Sequence, residues 1–552
     1  MTSAWAAVAL SVSLASVPGG KADLILVSGK IWTGDPARPE ARALAVAGGR
    51  VVAVGSNADV LALKGPKTRV LDARGRRVVP GFIDSHTHMT MGGLNLLAVD
   101  LRHTKDPADF TRQLAAYARA RPPGQWLTDG AWDHEQWKEP RLPSRDLLDP
   151  AVGDRPTCLS RQDGHMMVCS SRALALAKIT RETPDPPGGV IVRDARGEPT
   201  GVLKDSAMDA INAVRPQRSL PELEEGLRTA MKEAARSGVT SVQDLPGTAR
   251  DLDAWESLRA KGALTVRVTF RPSLSEWEKA RDRRAAMKND EWLRIGGVKG
   301  FADGSLGSGT ALFFEPYADD PANRGVFAAE AIPLRKLEER VMGADRAGLQ
   351  VVIHAIGDRA NAEVLDLFER VAASNGPRDR RFRIEHAQHL RPSDIPRFAV
   401  LGIVASMQPY HAVDDGRWAE KRIGRERCRT TYAFRSLLDA KARLVFGSDW
   451  DVAPLSPLSG IAAAVTRRTI DGKNPGGWFP EQRVTVEEAL RAYTADAAWA
   501  AFEEDEKGAL SVGKLADFVI LSGDPLTASS AGLDGLAVET TVVGGLVVHG
   551  GP

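Results

Sequence analysis

GFIDSHTHMT, Gly81 to Thr90, reads as a buried apolar strand that runs out into two histidines, His86 and His88. Side chains two apart on a strand share a face, so both imidazoles address one spot at the strand's C-terminal end. The chain has only ten histidines in 552 residues, which makes a pair at that position informative. Alone, the pair fits a metal site or a polar strand end equally well.

Downstream the pattern recurs. VTSVQD, LTVRVTF, RIGGVKGF, LQVVIHA, FRIEHA, GIVASM and RLVFGSD are short apolar runs, most of them separated by amphipathic helical stretches such as ELEEGLRTAMKEAARSG and AIPLRKLEERVMGADRAG. With VVPGFID they make eight candidate strands. That alternation predicts an α/β fold, a TIM-like (β/α)8 barrel over residues 81–505. A doubly wound open sheet is the alternative, but no glycine fingerprint follows the first strand. Turn-rich short strands fill residues 21–80 (ADLILVSGKIWTGD, ALAVAGGRVVAVGS) and return in 506–552 (GALSVGKLADFVILSGDP, AVETTVVGGLVVHGG). This texture predicts one β-sandwich built from both chain termini. Residues 91–216, rich in Trp, Pro and Asp, far exceed a βα loop of ~2–6 residues. They are expected to form a lobe over the barrel's C-terminal face.

Bulk composition narrows the function classes. With 73 basic and 71 acidic residues, nothing suggests a nucleic-acid partner, and 43% hydrophobic content suits a large buried core. Three cysteines rule against a zinc knot but leave room for one bridge, Cys158 to Cys169, in an oxidising compartment. Residues 1–20 have an apolar middle and small residues, Ser13 and Ala15, spaced like a cleavage site, but no positive n-region. A signal peptide and an exported protein are expected, with no stable membrane insertion.

Active sites of such barrels form where strands end at the C-terminal face. Those ends carry His86 and His88 (strand one), Lys299 (four), His354 (five), His386 (six) and Asp449 (eight). Each alone has a dull explanation, but six at corresponding positions point to a metal centre. An ammonium has no lone pair, yet a lysine between Val298 and Phe301 should lose its proton readily. The neutral amine can add carbon dioxide, giving a carbamate able to bridge two ions ~3.5–4 Å apart. The alternative for Lys299 is an ion pair with Asp303.

PGFIDSHTH, VKGFADGSLGSGTA, HAIGDRAN, RIEHAQ, SMQP, FGSDWDVAPLSPL and GKLADFVILSGDP together resemble the metal-dependent amidohydrolase superfamily, in the branch of N-substituted formamide deformylases and related amidohydrolase-3 proteins. The resemblance runs from about Asp23 to Asp524. It implies two divalent ions, zinc foremost and manganese, cobalt or iron as alternatives. His86, His88 and Asp449 would hold the buried one, His354 and His386 the exposed one, with carboxylated Lys299 between. The stretch LSRQDGHMMVCSSRALALAKI also matches, although Ser170-Ser171 stands where the branch has Asn-Ser.

The implied reaction is hydrolysis of a non-peptide C–N bond in a small molecule (an amide, N-formyl or N-acyl amine) by metal-activated hydroxide. Asp449 would act as general base and then acid, with His165 as a second catalytic candidate. His165, Asp303 and Trp132 are assigned to substrate contact, Trp132 with Trp126 and Trp137 suggesting an apolar cover. An ester, lactone or carbamate hydrolase would use the same centre. A mononuclear deaminase is disfavoured by Lys299 and by Gly357, where deaminases carry glutamate, and a non-catalytic scaffold by the complete ligand set. A homodimer is left open.

Overall fold

A computed structural model describes residues 20–551 apart from Pro123; the segment read as a leader lies outside them, save Gly20. Eight parallel strands carry the middle of the chain: β1 (Phe82–Thr87), β2 (Val239–Gly247), β3 (Arg267–Pro272), β4 in two pieces (Leu293–Ile295 and Gly297–Phe301), β5 (Gln350–Ala355), β6 (Arg383–His386), β7 (Val404–Met407) and β8 (Arg443–Phe446). All eight fall on the apolar runs read from the sequence. Pairing is sequential from β1 to the first piece of β4 and from its second piece to β8. The pieces join at Gly296 and Gly297. A Cβ on Gly297 would fall 2.2 Å from the Gln350 carbonyl oxygen, so the approach to β5 requires glycine there. At the other seam Asp449 N donates to His86 O at 2.8 Å and His88 N to Trp450 O at 2.6 Å, tying the end of β8 to that of β1. The result is a TIM-barrel-like α/β fold. A doubly wound sheet needs a reversal of strand order, and none occurs among these strands.

The intervening helices follow from their patterns. Leu220–Arg236 begins at a capping box between Ser219 and Glu222 and buries Leu223, Leu227, Ala230, Met231 and Ala234 along one stripe. Truncating fully buried Leu227 to alanine would cost about 2–5 kcal/mol. Leu334–Arg346 buries Leu337, Val341 and Ala344 in the same way.

Both termini build sheets beside these strands. Leu24–Val27 lies in a four-stranded sheet made from the N-terminal segment. Phe518–Leu521 lies in a six-stranded sheet between Arg77–Pro80 and Val538–Val543. Leu24, Leu26, Leu44 and Val46 of the first share one apolar core with Ile31, Val78, Phe518, Ile520 and Val542 of the second. Arg267 of β3 fastens the barrel to this module through Asp517, Nε to Oδ2 at 2.7 Å and Nη2 to Oδ1 at 2.9 Å.

The long excursion begins later than expected. Residues 91–96 continue the helix Met89–Leu96, which crosses Leu220–Arg236 so closely that a Cβ on Gly93 would meet Gly226 O at 1.9 Å. Beyond it come the helices Pro107–Arg119 and Arg145–Val152 and a mixed five-stranded sheet, which includes Thr157–Arg161 and Met166–Cys169. Cys158 and Cys169 face each other in that antiparallel pair and are joined by a disulfide. Among the described residues no helix is long and apolar enough to cross a membrane.

Candidate active site

The strand ends converge. His86 Nε2, His386 and Asp449 offer ligand atoms that all lie within 4.8 Å of one another, and all three side chains are buried. His88 Nε2 sits 2.8 Å from Asp449 Oδ1, and His86 Nε2 lies 3.3 Å from the same oxygen. The His354 ring is 4.5 Å from that of His386, but His354 Nε2 donates to Gly304 O at 3.0 Å. Five of the six predicted ligands are thus linked by direct contacts.

Lys299 lines the same cavity, 1% exposed, with its Nζ 4.7 Å from the centre of the Phe301 ring. Burial pulls its pKa down to about 8, although Glu385 and Asp449 oppose the shift. The alternative ion pair is not made: among the described residues no carboxylate lies within 4 Å of Lys299. Asp303 is engaged elsewhere, its Oδ2 accepting from Leu312 N and Gly357 N at 2.8 Å and its Oδ1 from Ile356 N at 3.0 Å.

Burial also sets the protonation of the histidines. It lowers His86 to about 4 and holds His354 and His386 well below the ordinary imidazole value, so their lone pairs are free at neutral pH. Burial opposes ionisation of Asp449, but His86, His88 and His386 outweigh it and keep its carboxylate well below the usual range.

A ring of partners orients the donors. Glu385, fully buried, accepts from His86 Nδ1 at 2.7 Å, and Gln408 Oε1 accepts from His386 Nδ1 at 2.9 Å. Each contact uses Nδ1 and leaves Nε2 to face the centre, the arrangement metal-binding histidines need. The sequence reading missed both partners, although Glu385 stands beside His386 in RIEH and Gln408 in the quoted SMQP. It also missed His411, in the first turn of the helix Pro409–Asp415. Its Nε2 lies 3.8 Å from Asp449 Oδ2 and has no hydrogen-bond partner among the described residues.

The lobe forms the roof. Ser160 to His165 line a cavity of about 760 Å³ that also takes in the strand-end cluster. His165 reaches in with its Nδ1 2.7 Å from Asp205 Oδ1 and its ring 5.2 Å from that of His354. Burial disfavours a charged His165, but Asp205, followed by Asp163 and Asp303, raises its pKa to about 9. Two assignments to substrate contact are corrected by position. Trp132 is fully buried in the lobe's core, its indole donating to Leu159 O at 2.7 Å, and Asp303 spends its carboxylate on three backbone amides; neither lines the cavity. Trp137 is buried beside Phe110, and Trp126 packs on the core around Cys158 and Ile179.

With this geometry in hand, the sequence profile of the amidohydrolase family matches residues 69–549. The chain belongs to that family. Among its relatives, Protein LONG AFTER FAR-RED 3 of Arabidopsis thaliana is 41% identical over 97% of this chain and 92% of its own length. N-substituted formamide deformylase of Arthrobacter pascens is 29% identical over 95% of this amidohydrolase and 98% of the relative. An uncharacterized metal-dependent hydrolase from Pyrococcus horikoshii, solved as a crystal structure, superimposes with a TM-score of 0.75 at 28% identity, covering 92% of this chain and 99% of the other. The branch named from the motifs is therefore the one in which such relatives are found.

Proposed function

We propose that this amidohydrolase is a metal-dependent hydrolase that cleaves a non-peptide C–N bond, of the amide, N-formyl or N-acyl amine type, in a small molecule. The observation that carries the reading is the buried cluster of His86, His386 and Asp449 with ligand atoms within 4.8 Å. The donor set suits divalent ions: neutral imidazoles with Nδ1 anchored, an ionised carboxylate, and a buried lysine whose lowered pKa favours carboxylation. His86, His88 and Asp449 would hold one ion and His354 and His386 a second, with carboxylated Lys299 between them in a closed (β/α)8 barrel. For His354, whose Nε2 now bonds Gly304 O, that role requires a turn of the ring or use of Nδ1.

Bound divalent ions supply Lewis acidity and a nucleophile at neutral pH. The chain's own residues do the rest. Asp449, ionised and next to His86 and His88, takes up a proton at its carboxylate and returns it to the leaving nitrogen. His165, held at Nδ1 by Asp205, presents Nε2 as the roof's polar contact to the substrate. A deaminase reading is weakened further by Gly357, where a Cβ would lie 2.0 Å from Leu312 O, so no glutamate fits there. The Cys158–Cys169 bridge supports an oxidising compartment, in keeping with export.

The test is metal analysis with a substrate panel. Protein purified with zinc, manganese or cobalt should carry close to two ions per chain and hydrolyse N-formyl or N-acyl amines faster than matched esters and lactones. Metal-free protein with no turnover on any of them would overturn the reading in favour of a scaffold.

A further inference from the structure

The cavity is not electrically uniform. On the side of β1 and β2 its wall carries three guanidinium groups, Arg215, Arg218 and Arg250. Arg218 is neutralised by Asp129, Nη2 to Oδ2 at 2.5 Å. The other two make no direct ion pair: among the described residues neither Arg215 nor Arg250 has a carboxylate within 4 Å, Asp129 acting on Arg215 only at longer range, and Arg250 spends its donors on the neutral acceptors Gln217 Oε1 and Arg218 O. The nearby Asp251 is committed to Thr248, whose backbone N and hydroxyl it accepts as the cap of the helix Ala249–Ala260. Asp244 is committed to Met89 N and the Trp255 indole, both at 2.8 Å.

The opposite side differs. There Asp133 and Asp163 flank Arg161, and Asp414 pairs with Arg417. Asp415 accepts from Gln388 and Tyr432. The cations on that side, Arg161 and Arg417, are each already paired with carboxylates.

The rim's placement relative to the chemistry follows from the chain. Asp244 pairs in register with Thr87, between His86 and His88, and six residues further on the chain reaches Arg250. Arg250 therefore sits outward of the strand-one histidines, and Arg215 lines the same cavity that holds the cluster. A planar guanidinium with several N–H donors and no protein carboxylate to meet is a ready partner for a carboxylate on a ligand.

We propose that Arg215 and Arg250 form an anion subsite, and that the substrates of this enzyme carry a carboxylate on the group remote from the scissile C–N bond. This deepens the hydrolase reading and rests on it for the word substrate; the binding claim itself does not need turnover. Asp129 keeps Arg218 from joining the pair and so anchors the loop 215–218 that carries Arg215. Both arginines are solvent-exposed, so two charge-assisted contacts of this kind are together worth about twofold to thirtyfold in affinity.

The test uses matched ligands on the zinc-loaded, full-length protein. N-benzylformamide and N-(4-carboxybenzyl)formamide differ only in the carboxylate and report turnover. The ketones 4-phenylbutan-2-one and 4-(3-oxobutyl)benzoate keep the shape of the corresponding N-acetyl benzylamines without the C–N bond, and report binding by calorimetry. The expected result is about threefold or more tighter binding of the carboxylate ketone, a preference that shrinks as salt rises and falls towards unity in Arg215→Gln/Arg250→Gln. Equal affinity for the two ketones, or a preference that survives the double substitution, overturns the proposal. If neither formamide is hydrolysed while the ketone preference holds and the double variant abolishes it, the N-formyl form of the hydrolase reading fails and the anion subsite stands. The single variants guard against a folding defect, because each should lose part of the preference with an unchanged melting temperature.

Discussion

Glu385→Gln isolates the role of the buried carboxylate behind the candidate metal centre. Glu385 is fully buried between two donors: Oε2 accepts from His86 Nδ1 at 2.7 Å and Oε1 from Arg383 Nη2 at 2.5 Å. Burial resists its ionisation, but Arg383 first and then His86 hold it well below the usual carboxylate range, so it is an acceptor at both oxygens. Glutamine keeps the shape and offers one oxygen and one amino group. If the amino group faces Arg383, two donors meet in a site without water access. If it faces His86, Nδ1 must give up its proton and accept, which moves the ring proton to Nε2 and removes the lone pair a metal ion would need. The first arrangement leaves a buried donor unmet, at about 1–3 kcal/mol; the second takes His86 out of the ligand set. Loss of such a partner lowers metal affinity about 10–100-fold, or about 1.4–2.7 kcal/mol. Zinc affinity measured against a chelator buffer, with metal content after dialysis and the melting temperature of each metal-free protein, separates the two. Zinc affinity within threefold of the parent protein, at an unchanged melting temperature, would refute the orienting role.

Other consequences can be checked in the same preparations. Asp449→Asn should lower turnover by on the order of 10²–10⁴ while metal content falls less, because the other ligands remain; near-parental turnover at full occupancy would move the proton transfer elsewhere, to His165 first. Lys299→Ala should lose metal and activity together, and short carboxylic acids should restore part of both by standing in for the carbamate. Asp205→Asn should bring the titration of His165, held up to about 9 by its carboxylate neighbours with Asp205 foremost, down towards the ordinary value of about 6.5, read from its ring-proton NMR shift. Asp517→Ala strands the Arg267 guanidinium, 2% exposed, and should lower stability by about 3–5 kcal/mol, seen as a lower urea midpoint.

The strands were legible because each is a short apolar run between helix signals, and the candidate ligands because they stand where those runs end. What the linear pattern hid depends on closure. Glu385 meets His86 across 299 positions of chain and Asp205 meets His165 across 40. Nothing local marks a carboxylate as facing a particular imidazole rather than an arginine. Asp303 illustrates the converse: VKGFADGS places it beside Lys299, yet the turn after β4 swings it onto the amides of Leu312, Ile356 and Gly357. Trp132 misled for a different reason. Its indole N–H finds Leu159 O inside the lobe, so the ring has no polar reason to face the cavity.

Strand alternation by itself predicts the wrong direction for one predicted ligand. On β6, Arg383 and Glu385 share the face that looks into the barrel, where they meet Ser85 O, Ser406 Oγ and His86. His386, the next residue, should therefore point outward. It does not, because the backbone is left-handed there, with φ +71° at His386 and +42° at Ala387. Asp449, three residues past β8, is left-handed as well, at +59°. Such conformations cost about 1–3 kcal/mol each for residues with a Cβ and persist only where the surroundings over-determine them. Here the surroundings are the Gln408 contact to His386 Nδ1 and the backbone bond from Asp449 N to His86 O. Both bonds turn a side chain that the strand would send elsewhere onto the spot addressed by His86. Strain at two of the three clustered residues is thus held in place by one contact to a neighbouring strand end and by the same backbone bond that closes the seam between β8 and β1.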